Sequence, residues 1–329
     1  MAKVSWGVLS TANIGTEKVI PAMQKGTYSE INAIASRDLN KAEQAAKKLG
    51  ISKAYGSYEE LLADKDIEAI YIPLPNHLHI EWTIKSLKAG KHVLCEKPVG
   101  MNYAEAVHLQ NEIKNFPKQK VMEAFMYRHH PQMQKVKELI NNGKIGDLRT
   151  IHTMFSYYND NPNDIRNMAD IGGGGLLDIG CYCISISRFL FDAEPKQVCA
   201  TIEYDPKFKT DHLVSSILKF ENGNSLFTCS TQMNPHQFAK LQGTKGKIEI
   251  EFPFTPSFDK KEKLTLGSGD NKEEIIFEPT NHYTIQGDMF SQAILNDTKV
   301  FTPFNDAVAN MKVIDKIIES SKLGKWINL

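Results

Sequence analysis

The sequence lacks a surplus of charge of either sign. Lys+Arg number 39 and Asp+Glu 39, so no electrostatic grip on nucleic acid or on an anionic membrane is expected. It also lacks any C-x-x-C pair. Its five cysteines, Cys95, Cys181, Cys183, Cys199 and Cys229, lie in or beside apolar segments, which reads as reduced thiols in a cytosolic protein rather than a disulfide framework. The opening MAKVSWGVLS has one lysine, a short apolar run and no cleavage-type region, so no signal peptide is expected. No run approaches the roughly 18 uninterrupted apolar residues of a membrane span. Together these absences predict a soluble, cytoplasmic chain that handles small molecules.

What is present is length and alternation. With 329 residues the chain exceeds the size at which one core usually stops growing, and two domains are expected. From residue 3 to about 125, strand-like runs alternate with helix-like ones: KVSWGVL (3–9), INAIAS (31–36), KAYG (53–56), EAIYIPL (68–74), HVLCE (92–96) and KVMEAF (120–125). Several runs are continuously apolar, as in a parallel sheet covered on both faces. Asn40 before KAEQAAKKL, Gly50 after it, Ser57 with Glu60, Asn102 with Glu105, and Asn76 with Gly90 supply start and stop signals for helices. The pattern predicts an α/β, doubly wound domain over 1–125. Beyond it, a helix over 130–142, a strand over 148–158, a helix near 175–191 and closely spaced strands (196–204, 212–220, 224–233, 247–252, 262–267, 274–278) predict an α+β domain over 126–329. It would hold a large, mostly antiparallel open sheet and finish in helix capped by Asn305 and closed by Gly324.

Candidate chemistry clusters at strand ends. Residues 7–15 read GVLSTANIG, placing Ser10-x-Ala12-x-x-Gly15 where a dinucleotide-binding Rossmann turn carries G-x-G-x-x-G. Only the third glycine, the helix-packing one, is kept. A helix beginning near Ile14 would still aim N–H groups at a phosphate, with Ser10, Thr11 and Asn13 adding side-chain donors. The second strand runs into IASRDLNKA, where an NAD site offers a carboxylate to the ribose 2′-hydroxyl. Ser36 and Arg37 stand there instead, a pair suited to a 2′-phosphate, a plain surface arginine being the alternative; Asp38 faces the following turn. In YIPLPNHLHIEW (71–82), Pro73, Leu74, Pro75 and Asn76 would stiffen the rim of the cleft. His77 and His79 have no partner at zinc-ligand spacing, so no metal is expected; both read as capping or surface residues, His79 near the cofactor. In CEKPVG (95–100), Lys97 can bond a substrate hydroxyl and lower the pKa of a neighbouring proton donor, or simply pair with Glu96. The loop NDNPNDIRNMADIGGGG (159–175) ends in glycines that permit close backbone approach or hinge motion.

These segments, with EAFMYRHHPQ (123–132), GGGGLLDIGCYCIS (172–185) and GTKGKIEIEFP (243–253), resemble the glucose-fructose oxidoreductase / inositol dehydrogenase (Gfo/Idh/MocA) family over most of the chain. Glu96-Lys97-Pro98 matches its E-K-P, implying a catalytic Lys97 beside the cofactor. DIGCY matches its D-x-G-x-H, implying a substrate-orienting or proton-relaying Asp178, with Tyr182 where most members have histidine. That tyrosine, with S-T-A-x-I-G and Ser36-Arg37, is similar to the branch of dihydrodiol dehydrogenases and NADP-dependent xylose dehydrogenases. The resemblance implies an NADP(H)-dependent oxidoreductase, NAD being second choice. It would move a hydride between nicotinamide and a hydroxyl or carbonyl carbon of a sugar, polyol or dihydrodiol-like substrate. Tyr182 would exchange the proton and Lys97 would lower its pKa. A homodimer or homotetramer through the second sheet is also implied. A non-enzymatic NADP-binding regulator and an enzyme using bound nicotinamide transiently are the alternatives. Arg128 and Arg166 can clamp a cofactor phosphate or be solvated loop charges, the family's N/D-I-R pattern favouring Arg166; Tyr127, His129 and His130 read as packing and rim residues.

Overall fold

The apolar runs of the first 125 residues become six parallel strands in the computed structural model, which describes residues 2–329. β1 (Val4–Leu9), β2 (Ser29–Ala35), β3 (Lys53–Tyr55), β4 (Ala69–Ile72), β5 (His92–Cys95) and β6 (Val121–Glu123) lie in the order β3-β2-β1-β4-β5-β6. The order reverses between β1 and β4, the switch point beyond whose strand ends doubly wound sheets bind ligands. Coverage on both faces explains the continuous apolar runs: all four residues of β4 are buried. A π-helical turn, Ile14–Val19, leads into α1 (Ile20–Met23). α2 (Leu39–Leu49) starts two residues before the expected signal, because Asp38 rather than Asn40 caps it, and Gly50 (φ 67°) closes it. α3 (Tyr58–Ala63) is capped by Ser57, whose hydroxyl accepts the Glu60 N–H at 3.1 Å, as its spacing predicts. α4 (His79–Lys88) follows a 3₁₀ turn over Asn76–Leu78 and takes no cap from Asn76; α5 is Tyr103–Ile113.

After α6 (Pro131–Asn141) come β7 (Leu148–Tyr158), α7 (Cys181–Phe191), β8 (Gln197–Tyr204), β9 (Asp211–Lys219), β10 (Asn224–Ser230), β11 (Gln232–Gly243), β12 (Lys247–Ile250), β13 (Glu262–Ser268), β14 (Asn271–Phe277), α8 (His282–Leu295), α9 (Phe304–Leu323) and β15 (Ile327–Asn328). α9 begins at Phe304, one residue ahead of the expected Asn305 cap, and Gly324 follows its end with φ 60°. The strands form one nine-stranded sheet, β14-β13-β12-β11-β7-β10-β9-β8-β15, antiparallel throughout except where β7 and β10 run parallel. β11 is unexpected as a separate element. Its polar start QMNPHQ contains Pro235, which interrupts the register against β7 between Gln232 and His236. Ala169–Phe191 is the one helical stretch among the described residues long and apolar enough to cross a membrane, and 78% of its apolar 18-residue window is buried.

The chain divides into two compact units, one of residues up to Gly100, Ala104–Met126 and Asn281–Val308, the other of Met101–Tyr103, Tyr127–Thr280 and Ala309–Leu329. Residues 281–308 therefore belong with the six-stranded sheet and not with the second domain expected over 126–329. The reason is polar as well as apolar. Ser291 on α8 accepts from the Trp6 indole at 3.0 Å and bonds Ser29 at 3.0 Å, while Asp288 accepts the N–H groups of Thr27 and Tyr28. Cys95, Cys181, Cys183 and Cys229 are buried and Cys199 half-buried, all as free thiols.

Candidate active site

Ser10 takes the backbone conformation that glycine would supply. Its φ is 113°, its N–H donates to Ala35 O at 2.9 Å, and its hydroxyl accepts the Ala12 N–H at 2.9 Å. The left-handed bend is thus held by β2 on one side and by a side-chain bond within the turn on the other. At the start of the π turn Asn13 makes no side-chain cap, so the amides beyond Ala12 keep the character of an anion site. Gly15 is less constrained than its motif position suggests: a Cβ there would sit 3.4 Å from Pro73 Cγ and 3.8 Å from Tyr71 Cε1, in ordinary contact. The tight glycine is Gly7, where a Cβ would meet Leu61 Cδ2 at 2.6 Å.

At the end of β2 the two charged residues separate. Asp38 turns into α2, its Oδ1 accepting the N–H groups of Asn40 (3.0 Å) and Lys41 (3.4 Å). Buried Ser36 accepts the Asp38 N–H at 3.2 Å, and exposed Arg37 stays beside the turn. The Tyr58 phenol lies near this turn, within electrostatic reach of the Arg37 guanidinium and of the Ser10 hydroxyl. Burial raises the Tyr58 pKa, so it remains a phenol, and its ring stands edge-on to Trp82 at 4.8 Å. Tyr58 had no signal in the sequence beyond its place after a serine cap.

The ends of β4 and β5 meet the same turn. Pro73 and Leu74 are buried, Pro75 and Asn76 half-buried, and His77 exposed. Glu96 donates its N–H to Ile72 O (3.1 Å) and accepts from the Tyr71 hydroxyl (2.7 Å); half-buried Lys97 precedes Pro98 through a cis peptide bond. Val99 N–H donates to Glu123 Oε1 at 2.7 Å. His79 is not the surface residue expected. It is 0% exposed, and its Nδ1 and Nε2 lie 2.7 Å from Pro98 O and Leu74 O, bracing the segments that follow β5 and β4. Two carbonyls call for two N–H donors, yet burial dominates and holds the imidazole pKa down at about 4, so the ring is neutral at pH 7 and donates to one of them.

In the other unit, a π turn over Leu176–Gly180 runs straight into α7, carrying Asp178 and Tyr182 on one continuous helix. Asp178 Oδ2 accepts from Tyr157 Oη at 2.5 Å and from Arg166 Nε at 3.0 Å; Arg166 also reaches Asp164 at 3.3 Å. Burial, then the neighbouring Asp178 charge, push the Tyr157 pKa up, so Tyr157 serves as a phenol donor. Arg166, expected among the cofactor contacts, is brought to these carboxylates. Tyr182 is 4% exposed, with the rings of Tyr127, Phe155 and Phe254 at 5.8, 5.8 and 5.7 Å. Tyr157 is the penultimate residue of β7, before the polar loop, a place with no spacing signal to single it out.

Arg128 is buried and donates to the Ser185 hydroxyl (2.7 Å) and carbonyl (3.3 Å) and to Tyr127 Oη (3.3 Å), over the Phe189 ring. This is a core network rather than a solvated loop charge. His129 and His130 are likewise buried rather than at a rim, and burial lowers their pKa values to about 3 and about 4; His130 Nδ1 caps α6.

Residues 4–125 match an oxidoreductase family described by its NAD-binding Rossmann fold, and residues 133–249 match the GFO/IDH/MocA C-terminal domain. The chain is 39% identical to an uncharacterized oxidoreductase of Rhizobium meliloti over 99% of each. It is 35% identical to a D-xylose 1-dehydrogenase (NADP(+)) of Haloferax volcanii over 98% of this chain and 99% of that one. It is also 35% identical to a trans-1,2-dihydrobenzene-1,2-diol dehydrogenase of Mus musculus, over 77% and 76%. A solved 3-ketoreductase from Actinomadura kijaniata, in complex with NADP and TDP-benzene, matches with a TM-score of 0.90 at 27% identity over 97% of this chain and 98% of that one. The two matched domains and these full-length relatives show that the chain belongs to the GFO/IDH/MocA family of oxidoreductases, with an NAD(P)-binding Rossmann fold.

Proposed function

We propose that this oxidoreductase uses NADP(H) and interconverts a hydroxyl and a carbonyl on a sugar, polyol or dihydrodiol-like substrate. The observation that carries the cofactor choice is the end of β2, where Asp38 is spent as a helix cap and Arg37 stands exposed beside the Ser10 turn. A carboxylate so placed is withdrawn from a ribose 2′-hydroxyl, and a guanidinium suits a 2′-phosphate. The residues from Ser10 to Gly15 would take the pyrophosphate, with Pro73–Asn76, Glu96 and Lys97 lining the nicotinamide end. Bound nicotinamide supplies or accepts the hydride. Tyr182 Oη gives a proton to the carbonyl oxygen on reduction and takes one from the alcohol on oxidation. Lys97 orients that oxygen as a cation and favours the tyrosinate. Asp178 orients substrate hydroxyls, and Arg166 holds Asp178 in place rather than binding cofactor. The names of the xylose and dihydrodiol relatives support the substrate class.

The test is a fluorescence titration with NADPH and NADH, followed by turnover of D-xylose and a trans-dihydrodiol by wild type and Tyr182→Phe. NADPH is expected to bind more tightly, and Tyr182→Phe to lose at least about a hundredfold in kcat, the scale of general acid–base catalysis. Tighter NADH binding overturns the role of Arg37. Full turnover by Tyr182→Phe overturns the proton donor, and an unchanged NADPH absorbance with every substrate overturns the reading as a net dehydrogenase.

A further inference from the structure

The glycine run before α7 is packed against one acid that the reaction does not use directly. Asp211, at the start of β9, is half-buried as a residue, but its carboxylate is enclosed. Oδ2 accepts the Leu176 N–H at 2.6 Å, and Oδ1 lies against Gly174. Gly174 has φ 120°, and a Cβ on it would collide with Asp211 Oδ1. At Gly173 a Cβ would fall 2.7 Å from the carbonyl oxygens of both Arg166 and Met168. The run is therefore glycine for close approach, not as a hinge. From it two bonds lead to the site: Gly174 N–H donates to Arg166 O at 2.9 Å, and Asp178 N–H donates to Gly174 O at 3.1 Å.

We propose that Asp211 is a positioning residue for the reaction: its carboxylate fixes Gly174–Leu176 and so sets where the helix bearing Asp178 and Tyr182 begins. The inference rests on the roles proposed above for those two side chains. An ionised carboxylate facing the N–H groups of a helix start is the stronger acceptor and matches the dipole. Burial opposes the charge and lifts the Asp211 pKa to about 6, against the pull of the backbone donors and of His212 beside it. Tyr204 on β8 and Cys229 on β10 also feel this carboxylate, and Cys229 feels Asp178 as well. The sign follows: with the folded pKa raised, stability is fullest below about 3.8 and is lost as pH rises through about 6. The helix start is nevertheless held best above pH 6, where the carboxylate is charged. Asp211 thus gives up global stability at neutral pH for local order at the site.

Asp211→Asn keeps the shape and removes the charge. At about pH 8 its kcat is expected to fall about tenfold with KM little changed, as for a small misplacement of reacting groups. Its melting temperature should rise above wild type at that pH, and an inflection of kcat/KM near pH 6 should vanish. A merely structural acid would lower activity and stability together. Amide exchange of residues 174–180 in the wild type, corrected for the intrinsic pH dependence, should lose protection below pH 6 and needs no variant. Wild-type kcat and inflection in Asp211→Asn, kcat and melting temperature falling together, or protection of 174–180 that is flat across pH would each overturn the proposal. Should Tyr182→Phe keep full turnover, the functional reading fails, while the exchange result still decides whether Asp211 holds the helix start.

Discussion

At the scale of single residues, Ser10 concentrates what is unusual about the nucleotide turn. A positive φ on a residue with a Cβ costs about 1–3 kcal/mol, and the hydroxyl bond to Ala12 N–H returns part of it. Ser10→Gly removes both the strain and the bond, so its unfolding free energy should stay within about 1 kcal/mol of wild type. Ser10→Ala keeps the strain and loses the bond, and should be the less stable of the two by about 1–2 kcal/mol in urea titrations. A reversed order would mean that the bend is held by the β2 contact alone. Tyr58→Phe is the matching functional probe. Its ring keeps the Trp82 contact while the hydroxyl near the Arg37 charge is lost, so NADPH affinity should drop severalfold with NADH affinity unchanged.

At the scale of elements, what was legible followed local physics. The six parallel strands announced themselves as apolar runs because helices cover both faces, and the Ser57 cap could be read from spacing because its bond spans three residues. β11 could not be read, since Pro235 and its polar neighbours look like a loop until β7 supplies the partner. Nor could α8 be assigned to the first sheet, because Ser291 reaches Trp6 across most of the chain. Among the residues given roles above, Lys97, Asp178 and Tyr182 stood out through motif, whereas Tyr157 and Asp211 meet partners brought by tertiary structure alone. His79 is the plainest case, its position suggesting a helix start while its work is to join Leu74 to Pro98. His79→Leu, which fills the space without a donor, should cost about 2–3 kcal/mol and lower kcat through Lys97, whereas His77→Leu on the exposed neighbour should stay within about 0.5 kcal/mol.

Across the whole molecule, buried histidines set the response to acid. His79 in the unit of the six-stranded sheet, and His129 and His130 in the other, are held neutral by burial, with pKa values lowered from 6.5 to about 4, 3 and 4. A depressed folded-state pKa means that the unfolded chain binds the extra proton first, so each contribution is complete above about 6.5 and is lost as pH falls through the folded value. Each amounts to about 3–5 kcal/mol, since one pKa unit is about 1.4 kcal/mol. Asp211 works in the opposite sense between 3.8 and about 6, with a similar magnitude, and offsets one of the three. The histidines outnumber it, so the melting temperature should climb from pH 4 to about 6.5 and then level off. In Asp211→Asn the climb should be steeper, because the opposing group is gone. A wild-type melting temperature that falls over this interval would mean that the buried imidazoles carry charge in the folded protein, with the His79 ring donating to both Leu74 and Pro98.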